Sequence, residues 1–340
     1  MKRKFSNSHD VARLAGVSRS AVSRAFTPGA SISPATRRKI DEAAATLGYR
    51  VNRLAREMHE DQTNIVGIVA ANMQTSYIAG LVERLSAELL ANGLQSLLVN
   101  AGDDTLDSEA HVSLMLEYRV RAAVVLSGSP PSSIVRACEA NAVKLVLINR
   151  RRSEAKAHLI HTDDQTGVEL AFQRLLSDGR RRLAVVGPDT GTSSMTLRNM
   201  AFMRCAAEHQ LNAVQWWSGG TGYETGARAA CELTDRDGVF CVTDEIALGF
   251  LNTSRFEIGK SVPRDLSLIG FDNVAESGWS SHGLTTIHQD RARLARMVTA
   301  AILTDQEEQG ESSQILPVTL IERGTTLPIN NVTTAPATRS

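Results

Sequence analysis

The chain has 340 residues, 42% hydrophobic and 22% charged with few aromatics, so it is long enough for two or three compact units and lacks the signature of disorder or of a fibre. Lys plus Arg and Asp plus Glu both number 37, but the signs are segregated: residues 1–60 hold twelve bases and five acids, the remainder 25 bases and 32 acids. A basic head on a mildly acidic body suits a polyanion at one end only. Four scattered cysteines, Cys138, Cys205, Cys231 and Cys241, form no C-x-x-C pair and so suggest neither a zinc site nor a disulfide framework. No run approaches the roughly 18 apolar residues of a membrane helix, and nothing apolar follows the charged N-terminus, which together point to a cytoplasmic protein without a membrane partner.

In chain order, Asn7 or Ser8 is placed to cap a first helix through HDVARLA, with Val11, Ala12, Leu14 and Ala15 as its buried stripe. Gly16-Val17-Ser18 interrupts it, glycine closing one helix and Ser18 capping the next, RSAVSRAF. The second helix would bury Ala21, Val22 and Ala25 and turn Arg19, Ser20, Ser23 and Arg24 outward. Ser33 and Pro34 start a third helix that stops at Gly48, with Ile40, Ala43, Ala44 and Leu47 facing the core. Three such helices enclose a small core in a helix-turn-helix outline, which frees the second helix to enter a major groove.

Beyond the polar stretch His59–Asn64, short β-branched runs alternate with helical ones. NIVGIVAA, QSLLVN, RAAVVLS, VKLVLIN and HLIHTD read as strands, followed by RRLAVVGP, AVQWW, DGVFCVT and DLSLIGFD. Strands buried on both faces and separated by helices imply parallel sheets in two lobes, with a ligand site beyond the carboxyl ends of the strands.

No enzyme motif stands at usable spacing: G-x-G-x-x-G, the P-loop, H-E-x-x-H and G-x-S-x-G are all missing, so neither catalysis nor a cofactor is expected. His158 and His161 are close in sequence, but an odd separation on a strand puts them on opposite faces, against a metal site.

The stretch DVARLAGVSRSAVSRAF, then ISPATRRKIDEAAATLGYRVNRLAREM, resembles the LacI/GalR family of bacterial transcription regulators over about fifty consecutive residues. The resemblance implies a three-helix lambda-repressor-like DNA-binding domain over residues 1–50, a hinge helix and linker over 51–62, and an effector-binding and dimerisation domain over 63–340. It makes Arg19 and Ser20 the opening, base-reading positions of the recognition helix, with Arg24 next along it and Asn7, Ser18, Ser23 and Asn52 positioning phosphates. VNRLAREM is similar to the family's hinge helix, so Asn52, Arg53, Ala55 and Met58 fall on its DNA side. Met58 takes the place of the leucine that wedges into the minor groove. Val51 stands for the usual proline and Ala21 for the usual threonine.

The same resemblance covers the body to about Leu327, through IVGIVAANMQTSYIAGLVERL, LINRR, TDDQTGVELA, LRNMAF, VTDEIALGFL, LSLIGFDNV and LTTIHQD. It implies a two-lobed α/β fold like that of periplasmic binding proteins, with parallel sheets, the first lobe combining about 63–161 with 292–325 and the second about 162–291. Carried over position by position, Arg198 would hold effector oxygens and Asp272 would bind hydroxyls. Tyr77 would stack on the ligand, while Asn149 stands where an aspartate is frequent and Thr243, beside Asp244, where an asparagine is. These departures point to an effector unlike the best-known sugars, still a sugar, sugar acid or similar metabolite. The competing readings are that Asp244 and Asp272 are helix caps at strand ends, that Tyr77 is core and that Arg198 is surface. The implied function is a repressor that binds a palindromic operator in double-stranded DNA as a homodimer under effector control, the sign of that control left open. A solute-binding protein of the same fold would instead need an export signal and no basic head.

Overall fold

The computed structural model describes residues 6–27, 29–50, 63–101, 108–126, 132–151, 156–189, 191–304 and 312–328. The chain divides into two units, residues 1–63 and 64–340. The expected hinge residues Asn52, Arg53, Ala55 and Met58 lie outside the described residues.

The first unit is built from α1 (Ser8–Ala15), α2 (Arg19–Ala25) and α3 (Pro34–Leu47). Asn7 caps α1 in a reciprocal box. Its side chain accepts from the amides of His9 at 2.9 Å and Asp10 at 3.1 Å, and the Asp10 carboxylate accepts from the Asn7 amide at 3.1 Å. Gly16 ends the helix at φ 66, a left-handed conformation that a side chain would resist, and Ser18 then accepts from Ala21 N at 3.2 Å to start α2. Val11, Ala12, Ala21, Val22, Ala25, Ile40, Ala43 and Ala44 form the core, with Ala15, Phe26, Leu47 and Tyr49 packed against it. Leu14, expected inside, is 53% exposed, because its position on α1 falls outside the arc that faces α2 and α3.

The second unit contains two six-stranded sheets. The first runs in the order β11-β5-β4-β3-β1-β2, from β1 (Ile65–Ala70), β2 (Gln95–Asn100), β3 (Ala122–Val125), β4 (Lys144–Ile148), β5 (His158–Thr162) and β11 (Ser312–Leu316), every neighbouring pair parallel. Its helices are α4 (Ser76–Ala91), α5 (Ser108–Glu117), α6 (Ser132–Ala140) and α11 (Arg291–Leu303). The second sheet runs β12-β10-β9-β8-β6-β7, from β6 (Leu183–Gly187), β7 (Val214–Trp217), β8 (Gly238–Cys241), β9 (Ser267–Asp272), β10 (Thr285–Gln289) and β12 (Val318–Ile321). Here only β12 is antiparallel, to β10. Helices α7 (Asp164–Ser177), α8 (Ser193–Glu208), α9 (Tyr223–Glu232) and α10 (Asp244–Phe256) belong to this lobe.

The strands β1, β3, β6, β8 and β9 are buried along their whole length, as parallel strands covered by helices on both faces must be. The chain passes between lobes after β5, after β10 and after β11. The return to the first lobe therefore ends at Leu316: β12 joins the second sheet, which corrects the expected boundary at 325. Asp163 and Asp290 stand at two of the crossings as caps of α7 and α11, and the Asp163 amide donates to Leu316 O at 3.0 Å, tying the first crossing to the third.

Helices α9 and α10 approach closely because Gly226 and Gly249 face the partner backbone. A Cβ at Gly226 would collide with the carbonyl oxygen of Ile246, and one at Gly249 with that of Tyr223. This contact fixes the start of both helices beside the cleft, where Tyr223 and Glu245 stand.

Candidate functional site

On the head, α2 offers an outward face with Arg19, Ser20, Ser23 and Arg24 all exposed, while Ala21, Val22 and Ala25 are buried beneath. Ser18 is engaged as the cap and its hydroxyl lies 2.9 Å from that of Ser20, so the two small polar groups mark the open end of the helix. Asn7, at the start of α1, is also exposed. Helix α2 thus has free cationic side chains and its own N-terminal amides on the solvent side, the combination that docks on phosphates and reads base edges.

In the second unit a cavity of about 300 Å³ lies where the carboxyl ends of the two sheets meet, within the size range of small-molecule sites. The chain reaches it at the turns after β1, β3, β4, β8, β9 and β10 and at the first turns of α4, α8, α9 and α10. Several of these turns need unusual backbone. Asn149 has φ 58 and Asn273 φ 56, left-handed values that asparagine tolerates, and Asp272 sits at φ 128, a conformation that costs a side-chain-bearing residue strain.

Arg198 on α8 is the centre of the wall. Its Nε donates to Asp164 Oδ1 at 2.8 Å and its Nη1 to Val242 O at 2.7 Å, with Asp272 Oδ1 at 3.6 Å and the Phe271 ring centroid 3.5 Å from the guanidinium carbon. Its side chain is 4% exposed, so the surface reading is excluded. Arg198 Nη2 has no protein partner among the described residues and remains for a ligand oxygen.

Asp272 accepts from Gln289 Nε2 at 2.7 Å. Burial pushes its carboxyl up to about 8, and neighbouring Asp244 adds to the rise, while Arg198 opposes it. Gln289 Oε1 in turn accepts from Tyr77 OH at 3.1 Å and from Thr162 Oγ1 at 2.6 Å. The Thr162 amide donates to Asn149 Oδ1 at 3.3 Å. The Tyr77 phenol is pushed up by burial first and by Asp272 second. One polar network therefore runs from Tyr77 and Asn149 in the first lobe through Gln289 to Asp272 and Arg198 in the second.

Five of the six expected effector residues, Tyr77, Asn149, Arg198, Thr243 and Asp272, line the cavity together. Thr243 caps α10 by accepting from Ile246 N at 3.3 Å, which leaves its O–H to donate. Asp244 is corrected: it is fully buried behind the wall, accepting from Val274 N at 2.9 Å, Ser277 Oγ at 2.6 Å and Thr286 Oγ1. It holds the turn after β9 and does not face a ligand. Gln289, Glu245 and Glu276 also line the cavity and were not singled out from sequence. Gln289 stood inside the LTTIHQD stretch and Glu245 inside VTDEIALGFL, whereas Glu276 lies in a short helical turn with no signal to separate it from solvent-facing charge.

Residues 9–52 match the family described as bacterial regulatory proteins, lacI family, and residues 172–326 match the periplasmic binding protein-like domain. Among curated relatives, the chain is 27% identical over 325 residues to the HTH-type transcriptional repressor PurR of Erwinia tasmaniensis, covering 92% of this chain and 95% of that one. PurR of Glaesserella parasuis is 25% identical over 308 residues, 89% of this chain and 90% of its own length. Among solved structures, the Lac repressor dimer bound to operator and the anti-inducer ONPF superposes with a TM-score of 0.84 at 23% identity, covering 96% of this chain and 100% of that one. A LacI family transcriptional regulator from Enterococcus faecium with bound ribose gives a TM-score of 0.69 at 23% identity over 78% of this chain and 99% of its own. These likenesses to solved structures establish the fold.

Proposed function

Because the chain belongs to the LacI/GalR family of bacterial transcription regulators, we propose that it is a transcriptional repressor whose head reads a palindromic operator and whose cleft takes a small-molecule effector. The observation that carries this reading is the face of α2: four polar or cationic side chains, Arg19, Ser20, Ser23 and Arg24, stand exposed on a helix whose opposite side is locked into the head's core. An arginine at such a helix start reaches the two acceptor atoms of guanine in the major groove, while Ser18, Ser23 and Asn7 meet phosphates. Asn52, Arg53, Ala55 and Met58 are assigned to the minor groove on sequence resemblance alone.

Two copies are required, since one head spans only a few base pairs and a two-fold pair matches a palindrome. The relatives named PurR are repressors, which fits a chain that regulates and does not catalyse. Among the described residues no helix is long and apolar enough to cross a membrane, and we assign the protein to the cytoplasm, where the operator is. Effector binding would favour one relation of the two lobes and so bias operator affinity by its differential affinity for the two states. Selection from a randomised duplex pool with purified full-length protein tests the reading, and a palindromic consensus whose occupancy changes with a cleft ligand is the expected result. A pool that stays random, with and without metabolites, overturns it.

A further inference from the structure

The wall of the cavity engages most of its acceptors internally. The Thr162 amide can only donate, so the Asn149 atom facing it at 3.3 Å is the side-chain oxygen. Gln289 Oε1 is occupied twice, by Tyr77 OH at 3.1 Å and Thr162 Oγ1 at 2.6 Å. Asp272 Oδ1 accepts from Gln289 Nε2 at 2.7 Å, and Glu276 Oε1 from Ser76 Oγ at 2.8 Å. Donors are what the wall leaves over. Arg198 is 4% exposed, with Nε on Asp164 and Nη1 on Val242 O, while its Nη2 has no partner among the described residues and is open to the cavity. Asn149 Nδ2 is likewise unpartnered and unsealed on a lining residue. Thr243 follows Val242 directly and accepts from Ile246 N at 3.3 Å, so its O–H stands free beside Arg198. Burial pushes the Asp272 carboxyl up to about 8, and at neutral pH its second oxygen adds another O–H. Glu245, half-buried at the first turn of α10, is the lining carboxylate with oxygens still free among the described residues.

A hydroxyl brings a proton that needs an acceptor, and a ligand with many hydroxyls needs several. Those acceptors are already occupied. A carbonyl or carboxylate oxygen brings lone pairs and no proton, and the free groups of Arg198, Asn149 and Thr243 all donate to it. Much of the remaining lining is apolar: Ile78, Leu126, Met195, Leu248 and Val274. Tyr77 joins them, because its hydroxyl is engaged by Gln289 and its ring is what it offers a ligand. We propose that the cleft takes a small molecule that presents a carboxylate or carbonyl oxygen to Arg198, Asn149 and Thr243 and lays an apolar body against Tyr77, Met195 and Leu248. This rests on the effector reading and names its ligand class. It makes residue 149 the discriminating position, since an aspartate there would present an acceptor oxygen where Asn149 presents N–H.

Thermal shift and calorimetry on the full chain with matched sets test it. Alditols and methyl glycosides carry hydroxyls alone, and aldonic acids and their lactones add the carboxylate or carbonyl to a hydroxylated body. Benzene- and cyclohexanecarboxylates and the matching methyl ketones join that oxygen to an apolar body, and comparing acid with ketone identifies the head group. The apolar-bodied set is expected to bind at least roughly tenfold more tightly than the hydroxylated acids and lactones, with the alditols and glycosides giving no shift. Asn149→Asp should weaken the apolar-bodied set at least roughly tenfold by setting an acceptor against an acceptor. Asn149→Gly suits the left-handed backbone at φ 58 and removes the donor without adding an acceptor, so its loss should be smaller. Tightest binding by an alditol or glycoside overturns the proposal and leaves the effector reading intact. Equal binding of the hydroxylated and apolar-bodied acids, or an unchanged preference in Asn149→Asp, does the same. Absence of any shift across all sets overturns both.

Discussion

Gln289 Nε2 donates to Asp272 Oδ1 at 2.7 Å, joining the ends of two neighbouring strands of the second sheet at the point where the chain leaves that lobe. The amide is oriented by two other donors on its oxygen, Tyr77 OH and Thr162 Oγ1, both from the first lobe. A side chain at a crossing thus reads both halves of the site at once.

The Asp272 carboxyl gives the body a pH signature. Its value rises from 3.8 in the ordinary state to about 8 in the fold, so the folded protein keeps a proton that the unfolded chain has lost between those limits. Stability from this group is complete below about pH 4, declines as pH rises and is gone above about pH 8. Asp272→Asn should flatten that decline, read as melting temperature against pH for both proteins.

Replacing Arg198 tests more than ligand contact. Arg198→Ala strands the buried Asp164, whose partner it is at 2.8 Å, and breaking a buried pair of this kind costs about 3–5 kcal/mol. Urea unfolding should show that loss. Arg198→Lys, which keeps the charge but not the fork, should lose less stability and still impair effector binding.

For the head, Arg19→Ala should cost about 1–3 kcal/mol at one operator position and relax the preference there. A uniform loss across all sequences would make Arg19 a phosphate contact instead. Ser18→Ala removes the α2 cap that accepts from Ala21 N at 3.2 Å and should lower the stability of the head by about 1 kcal/mol, measurable by circular dichroism on the full chain.

Gly249→Ala drives a methyl group into the backbone of α9 at Tyr223. Overpacking of this kind costs about 1–3 kcal/mol or more, and because α9 and α10 both open onto the cleft, ligand affinity should fall with the melting temperature. Calorimetry and thermal melts on the same variant would separate the two effects.

All nine strands read from sequence exist: β2 and β7 are partly exposed strands at the edges of their sheets, and the other seven carry the continuous hydrophobic signature that burial on both faces leaves. Strands β10 to β12 escaped it. In β10 the buried positions include Thr285, Thr286 and Gln289, whose polar groups are satisfied inside by Thr326, Asp244 and Asp272. The head was legible almost residue by residue, since caps and glycine stops are local chemistry. In the cleft, Thr243 and Asp244 are adjacent in sequence, yet one lines the cavity and the other braces the turn behind it. No sequence pattern separates them, because the difference is the direction each takes from the first turn of α10. Glu276 was opaque as well, since it lies in a short turn beyond the LSLIGFDNV stretch and reaches the cavity only through the fold.

The three crossings between lobes carry a mechanical implication. A single tether would let the halves tumble in any direction, but three strands of backbone, two of them stitched together by the Asp163 amide and Leu316 oxygen, behave as a strip hinge. Such a strip yields easily to folding across its width and resists sliding or twisting in its plane. Whatever fills the cleft can then impose one kind of swing, and the direction of that swing is written in the covalent path of the chain.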